Sequence, residues 1–364
     1  MPLNIVYILI GVFITGLTLL SATRTFVSPR AESDKLTEFI FRFFRMVFQT
    51  AARLFPKYRQ KDRIMAFYAP VVLLSLPPVW LLLISIGFTF IYYGLGISNW
   101  SQAFILSGSS LLTLGFAKSE YLFPVLEFTQ ATLGPLLIAL LISYLPTMYA
   151  AYQYREKAVN LLTVRAGSPP SPLQMLMRFH RLNQLDHLST FWEQWENWFV
   201  ELEHSHTSFS ALVYFRSLQP EHSWVNSAAA ILDAAALRLA VLDLSSDLRP
   251  HRLPDGSETP SDPQAAITIR AGFIALRRIA DLFKVEYNAD PNFPADPISI
   301  TRAQFDLAIS SLQDQGIPLQ GDLEKAWQDF AGWRVNYDSV LEALLNLTMA
   351  PPSSWVGFND LPNA

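Results

Sequence analysis

Residues 64–97 contain no Asp, Glu, Lys or Arg. A helix needs about 20 apolar residues to cross the ~30 Å hydrocarbon core of a bilayer. The run exceeds that requirement, so it predicts a membrane-spanning helix that is tilted or enters bent, with Pro70, Pro77 and Pro78 at the bends. Two further apolar runs flank it in sequence, residues 3–22 and 128–152, the second ended by Arg155, Glu156 and Lys157. The first run is compatible with a signal peptide. However, no Lys or Arg precedes it and no convincing small-x-small cleavage motif follows, which favours a retained span. Three spans are expected.

Charge is distributed unevenly along the chain. Residues 1–154 hold eleven Lys and Arg against six Asp and Glu, whereas the remainder holds sixteen against twenty-five. Ten of those eleven bases lie between Arg24 and Arg63, and only Lys118 lies between the second and third runs. Short Lys/Arg-rich loops stay on the cytoplasmic side. The expected orientation is therefore a multi-pass protein of the plasma (inner) membrane, N-terminus outside and C-terminal domain cytoplasmic. An acidic body repels phosphate, so nucleic acid is not an expected partner. The chain has no cysteine, which excludes disulfides and thiolate chemistry.

The basic connection, residues 24–63, is also patterned. Phe39, Phe43, Val47, Ala51, Leu54 and Phe55 recur at helical spacing, interrupted by Arg42, Arg45, Gln49 and Arg53. Such a helix lies in the headgroup layer with its arginines toward membrane lipid, or it packs on the protein's own soluble domain. The arginines do not interrupt an apolar spanning run, which argues against a voltage sensor.

Past the third run the pattern becomes that of soluble helices. The expected organisation is an N-terminal transmembrane helix (1–23), the basic connection (24–63), a membrane unit of span, loop and span (64–154), a linker (155–172) containing AGSPPSP, a helical cytoplasmic domain (173–350) and a tail (351–364). Within the helical domain, residues 173–202 carry a stripe of Trp192, Trp195, Trp198, Phe199 and Leu202. Residues 223–244 are alanine-rich and strongly helix-forming, residues 245–263 read as a loop, and helices follow at 264–285, 301–315 and 320–347. The domain is expected to fold by itself from about Ser168 onward. Glu201, Glu203, His204 and His206 bring imidazole and carboxylate together. Residues two apart diverge on a helix, so a solvated helix end is favoured there over a metal site. No nucleophile elbow, Walker loop or dinucleotide fingerprint occurs, and neither an enzyme nor a cofactor is expected.

The segment WSQAFILSGSSLLTLGFAKSE, residues 100–120, lies between the second and third runs. It is too short and too polar in its second half to span. Its first half, with Trp100, Ser107, Ser109 and Ser110, reads as a short helix, and its second half as a compact non-helical stretch. Non-helical backbone at membrane depth is tolerated only where protein buries it or water lines it.

In the order of its parts, residues 64–154 resemble the pore domain of the potassium-channel superfamily. That family has a span, a pore helix, a filter of the TVGYG type and a second span. Thr113, Leu114, Gly115 and Phe116 align with the first four filter residues. The resemblance implies that their carbonyls and the Thr113 hydroxyl replace the hydration shell of K+ or another monovalent cation. It implies a homotetramer, since one loop supplies a quarter of a filter. It also implies gating roles for Gly134 and Pro146 as hinge and bend. Two positions depart from the family. Ala117 stands where a second filter glycine is usual, and Lys118 where an acid is usual, with Glu120 two residues on at the outer mouth. The expected fold class is thus an all-α membrane protein, three transmembrane helices with one re-entrant pore loop, plus an all-α cytoplasmic domain. The alternative is a membrane-tethered scaffold or sensor whose loop is non-conducting.

Overall fold

The computed structural model describes residues 2–28, 34–119, 123–243, 262–352 and 355. Among them the fold is all-helical, and the one β-type pairing is an isolated bridge between Leu242 and Leu319. Four helical stretches are long and apolar enough to cross a membrane: Leu3–Phe26, Tyr58–Gly94, Pro124–Ala166 and Trp224–Val241. The chain divides into two compact units, Met1–Ala150 and Ala151–Ala364.

In the first unit, α1 (Pro2–Phe26) packs along α4 (Tyr68–Gly94). The seam is made of small residues, so the two backbones approach closely. A β-carbon on Gly11 would sit 2.3 Å from the Gly87 carbonyl oxygen, and one on Gly94 would sit 2.6 Å from that of Asn4. Pro77 and Pro78 lie within α4, which continues through them. The basic connection forms two helices, α2 (Lys35–Arg53) and α3 (Tyr58–Ala66). Asp34 caps α2 by accepting the Thr37 amide at 2.8 Å, and it also accepts the Ser21 hydroxyl of α1. The Trp80 indole of α4 donates to the same Ser21 at 3.2 Å. One polar knot thus ties three helices together.

The second unit is built on α9 (Trp224–Val241), whose spanning-length window is 89% buried within the structure. Ser223 caps it, and the Ala-rich sequence lets neighbours close in on every side. Around it pack α7 (Pro172–Arg181), α8 (Ser189–Ser208), α10 (Pro263–Leu282), α11 (Arg302–Asp314), α12 (Leu323–Arg334) and α13 (Asp338–Thr348). The tryptophan stripe of α8 faces this core, with Trp192, Trp195, Trp198 and Phe199 all buried.

Three boundaries differ from the sequence expectation. The third apolar run continues as one helix, α6 (Pro124–Ala166), so most of the expected linker is helical. Its residues Val159, Leu162 and Ala166 belong to the second unit's core, and that unit begins at Ala151. The expected helices 173–202 and 320–347 are each interrupted. Asn183 adopts φ 54° between α7 and α8, and a turn at 335–337 separates α12 from α13. The expected loop 245–263 lies outside the described residues except for Asp262 and Pro263, which cap and open α10. Of the expected tail, residues 353–354 and 356–364 also lie outside them.

Candidate functional site

The segment between α4 and α6 starts with α5 (Trp100–Leu111), capped by the Asn99 side chain, which accepts the Ser101 amide at 2.8 Å. Twelve residues rise about 18 Å, short of the ~30 Å hydrocarbon core. Trp100 stacks on Tyr93 with ring centroids 4.1 Å apart, and it meets Phe90 and Tyr7 edge-on. Aromatic clusters of this kind are enriched at membrane–water interfaces.

At its other end α5 closes in a Schellman motif. The Thr113 amide donates to Ser110 O at 3.0 Å and the Leu114 amide to Ser109 O at 2.8 Å. That geometry requires a left-handed residue one position past the cap, usually glycine. Here Thr113 fills it at φ 56°, its hydroxyl donating to Leu112 O at 2.7 Å. Gly115 is left-handed as well, at φ 72°, a region a β-carbon disfavours.

Ser109 holds the return of the loop. Its hydroxyl accepts the Ala117 amide at 3.0 Å and donates to the Ala117 carbonyl at 3.3 Å. Further on, the Ser119 amide donates to Glu127 Oε1 of α6 at 3.0 Å. Between these anchors residues 112–116 are exposed, Leu114 at 60% and Phe116 at 69%, and Lys118 is exposed too. Glu120 lies outside the described residues.

Behind the loop is a buried polar cluster joining the three helices of the segment. Gln130 of α6 donates to the Ser107 hydroxyl at 2.6 Å, Ser107 donates to Ser85 O of α4 at 2.9 Å, and Tyr92 of α4 donates to Gln130 Oε1 at 3.1 Å. Each of these groups is buried and partnered, which fixes α5 against α4 and α6. Ser110 is buried beside them. No family model, no curated protein and no solved structure matches this chain.

Sequence reasoning did not single out Gln130, although an amide inside an apolar run at membrane depth is itself a signal. Gly134 has a packing reason to be glycine, since a β-carbon there would lie 2.1 Å from the Leu111 carbonyl oxygen at the end of α5. α6 runs unbroken through both Gly134 and Pro146. Of the arginines on α2, Arg42 and Arg53 are exposed and Arg45 is half-buried.

In the second unit the His-x-His pair separates. His204 is exposed, while His206 is fully buried against Arg155, so the pair does not form a solvated helix end. Among the described residues no cluster of His, Asp and Glu has metal-binding geometry.

Proposed function

We propose that the chain is one subunit of a homotetrameric cation channel. K+ is the expected permeant ion, and Thr113, Leu114, Gly115, Phe116 and Ala117 line the path. The observation that carries this reading is the exposed, non-helical run 112–116 between two helices of spanning length. In a bilayer, uncovered backbone N–H and C=O groups cost several kcal/mol each, so such a run is stable only when it lines water or is covered by protein. Four copies around an axis meet both conditions at once. α1, α4 and α6 are the three spans, α5 and its return form the re-entrant loop, and α9 is a core helix of the cytoplasmic domain because its own unit already buries it on all sides. Cysteines placed at 58 and at the exposed position 118 in this cysteine-free chain check the orientation. An impermeant reagent added outside intact cells should label 118 and leave 58 untouched, and the reverse pattern would refute it.

Conduction is tested by K+ flux from liposomes holding equal amounts of wild type, Gly115→Val and Ala117→Gly. Gly115 holds φ 72°, and a β-branched side chain there costs roughly 1–2 kcal/mol per subunit. Because four subunits share the path, flux should fall to background. Ala117→Gly should conduct and raise preference for K+ over Na+. Equal flux in all three, or none in any despite confirmed tetramers, would sink the channel reading and leave the scaffold or sensor in front.

A further inference from the structure

The helix α2 has three distinct sides. Its packed side carries Ile40 and Ala52, both buried, together with Phe41 and Phe48, which meet Tyr68 at the start of α4. The Tyr68 hydroxyl also donates to Phe41 O at 3.0 Å.

The second side is apolar and uncovered. Phe39, Phe43, Met46, Val47 and Leu54 are all exposed, Phe39 at 66%. At about 100° per residue these five fall within roughly a 100° sector of the helix. The third side is basic. Lys35, Arg42 and Arg53 line the edge of the apolar sector away from Ile40, and the Arg42 side chain is 78% exposed even while it pairs with Glu38 at 2.8 Å. The neighbouring α3 adds exposed Arg59 and Arg63.

An exposed sector of five aromatic and aliphatic groups beside a row of cations fits one environment well. Acyl chains take the apolar side while anionic headgroups neutralise the adjoining edge. The position of α2 in the chain agrees, because it lies between two helices of spanning length, α1 ending at Phe26 and α4 beginning at Tyr68. We infer that α2 is an anionic-membrane-binding helix, its Phe39–Phe43–Met46–Val47 face seated at the acyl boundary and its Arg42 and Arg53 edge on acidic phospholipid headgroups. This inference does not depend on conduction. A non-conducting protein would bind the same leaflet in the same way.

The test uses the full-length chain in phosphatidylcholine vesicles with and without an equal part of phosphatidylglycerol. Single cysteines at 43, 46, 47 and 53 carry spin labels, and accessibility is measured to oxygen, which partitions into acyl chains, and to a water-soluble nickel chelate. Labels at 43, 46 and 47 should favour oxygen, and the label at 53 should favour nickel. Nickel access at all four positions would overturn the inference. So would shielding from both reagents with spin–spin broadening, which would instead mean that a second copy covers the face.

The arginine edge is tested separately by following the thermal midpoint of the purified protein in mixed micelles as phosphatidylglycerol is titrated in. The lipid concentration giving half the stabilising shift should rise by roughly fivefold for each arginine removed in Arg42→Gln and Arg53→Gln. Phosphatidylcholine should give no such difference. Identical titrations for wild type and the double variant would refute the headgroup contact.

Discussion

Asp233→Ala should destabilise the second unit by about 3–5 kcal/mol, the range expected when one partner of a buried ion pair is removed. Asp233 is 2% exposed and serves three donors. It pairs with Arg334 of α12, accepts the Tyr337 hydroxyl at 2.8 Å, and accepts the Trp355 indole at 2.8 Å. Arg334 also donates to Asp338 at 2.7 Å and to Ser299 at 3.1 Å. Burial alone would lower the Arg334 pKa, but Asp233, Tyr337 and Asp338 together push it up, so the guanidinium stays charged. Burial, then Asp233, pushes the Tyr337 phenol well up, so it remains a donor. Removing Asp233 strands a buried cation on one carboxylate and leaves two donors without their acceptor. Urea denaturation of residues 151–364, followed by tryptophan fluorescence, measures the cost. Asp233→Asn keeps one acceptor oxygen and should cost less. Glu324→Ala, which breaks the exposed Arg302–Glu324 pair, should stay within the ~0–1 kcal/mol of surface ion pairs. A loss below 1 kcal/mol for Asp233→Ala would show that the network is not what holds α9 to α12.

None of that network can be read locally, since its members lie at positions 233, 299, 334, 337, 338 and 355 and meet only through tertiary packing. What the sequence does disclose is local. The alanine run with Ser223 before it marks α9 and its cap, and the Trp192–Leu202 spacing marks the buried side of α8. Both signals depend on residues within a turn or two of each other. The interruption at Asn183 leaves only a weak trace, because Asn ends helices in the left-handed conformation less often than Gly. The turn at 335–337 has neither Gly nor Pro to announce it.

The charged triplet Arg155, Glu156 and Lys157 is instructive in another way. Charges end a membrane span, and the third apolar run does stop there. They need not end a helix, and α6 continues because Arg155 finds partners from residues far along the chain. For the candidate site, composition and order disclosed a short helix and a non-helical return between two apolar runs. They did not disclose the Gln130–Ser107–Tyr92 cluster or the Ser109 clasp on Ala117, because a hydrogen-bond partner on another helix leaves no periodic trace in sequence. Gly134 shows the same limit, since glycine in an apolar helix is common and its contact with the Leu111 carbonyl belongs to packing.

Acid should loosen the second unit through His206. Its Nδ1 lies 2.9 Å from Leu202 O, so that nitrogen carries the proton, and its Nε2, 3.2 Å from Arg155 Nη1, must accept. Arg155 also donates to Leu212 O at 2.9 Å and Phe215 O at 2.8 Å, and it pairs with Glu156 at 2.8 Å. The guanidinium thus ties α6 at Arg155 to the chain around residue 215. A proton on Nε2 would remove the acceptor and set a second cation against the guanidinium. Burial first, then Arg155, holds the His206 pKa well below 6.5, with the Leu202 carbonyl pulling weakly the other way. Above about pH 6.5 the folded and unfolded chains bind the same number of protons here, and stability is flat. Below it the unfolded imidazole takes a proton that the folded one refuses, so stability falls as pH drops, by up to about 1.4 kcal/mol per pH unit. His222 is lowered too, by burial, with Glu156 and Glu221 pulling the other way, and it adds a slope of the same sign. Denaturation of residues 151–364 at pH 7 and 5.5 should therefore differ by about 1 kcal/mol more in wild type than in His206→Gln, whose amide cannot titrate. The variant's absolute stability does not matter to this comparison, because the readout is the difference between two pH values. An equal pH dependence in both proteins would mean that the Arg155–His206 contact opens before the imidazole is titrated, and that acid acts elsewhere.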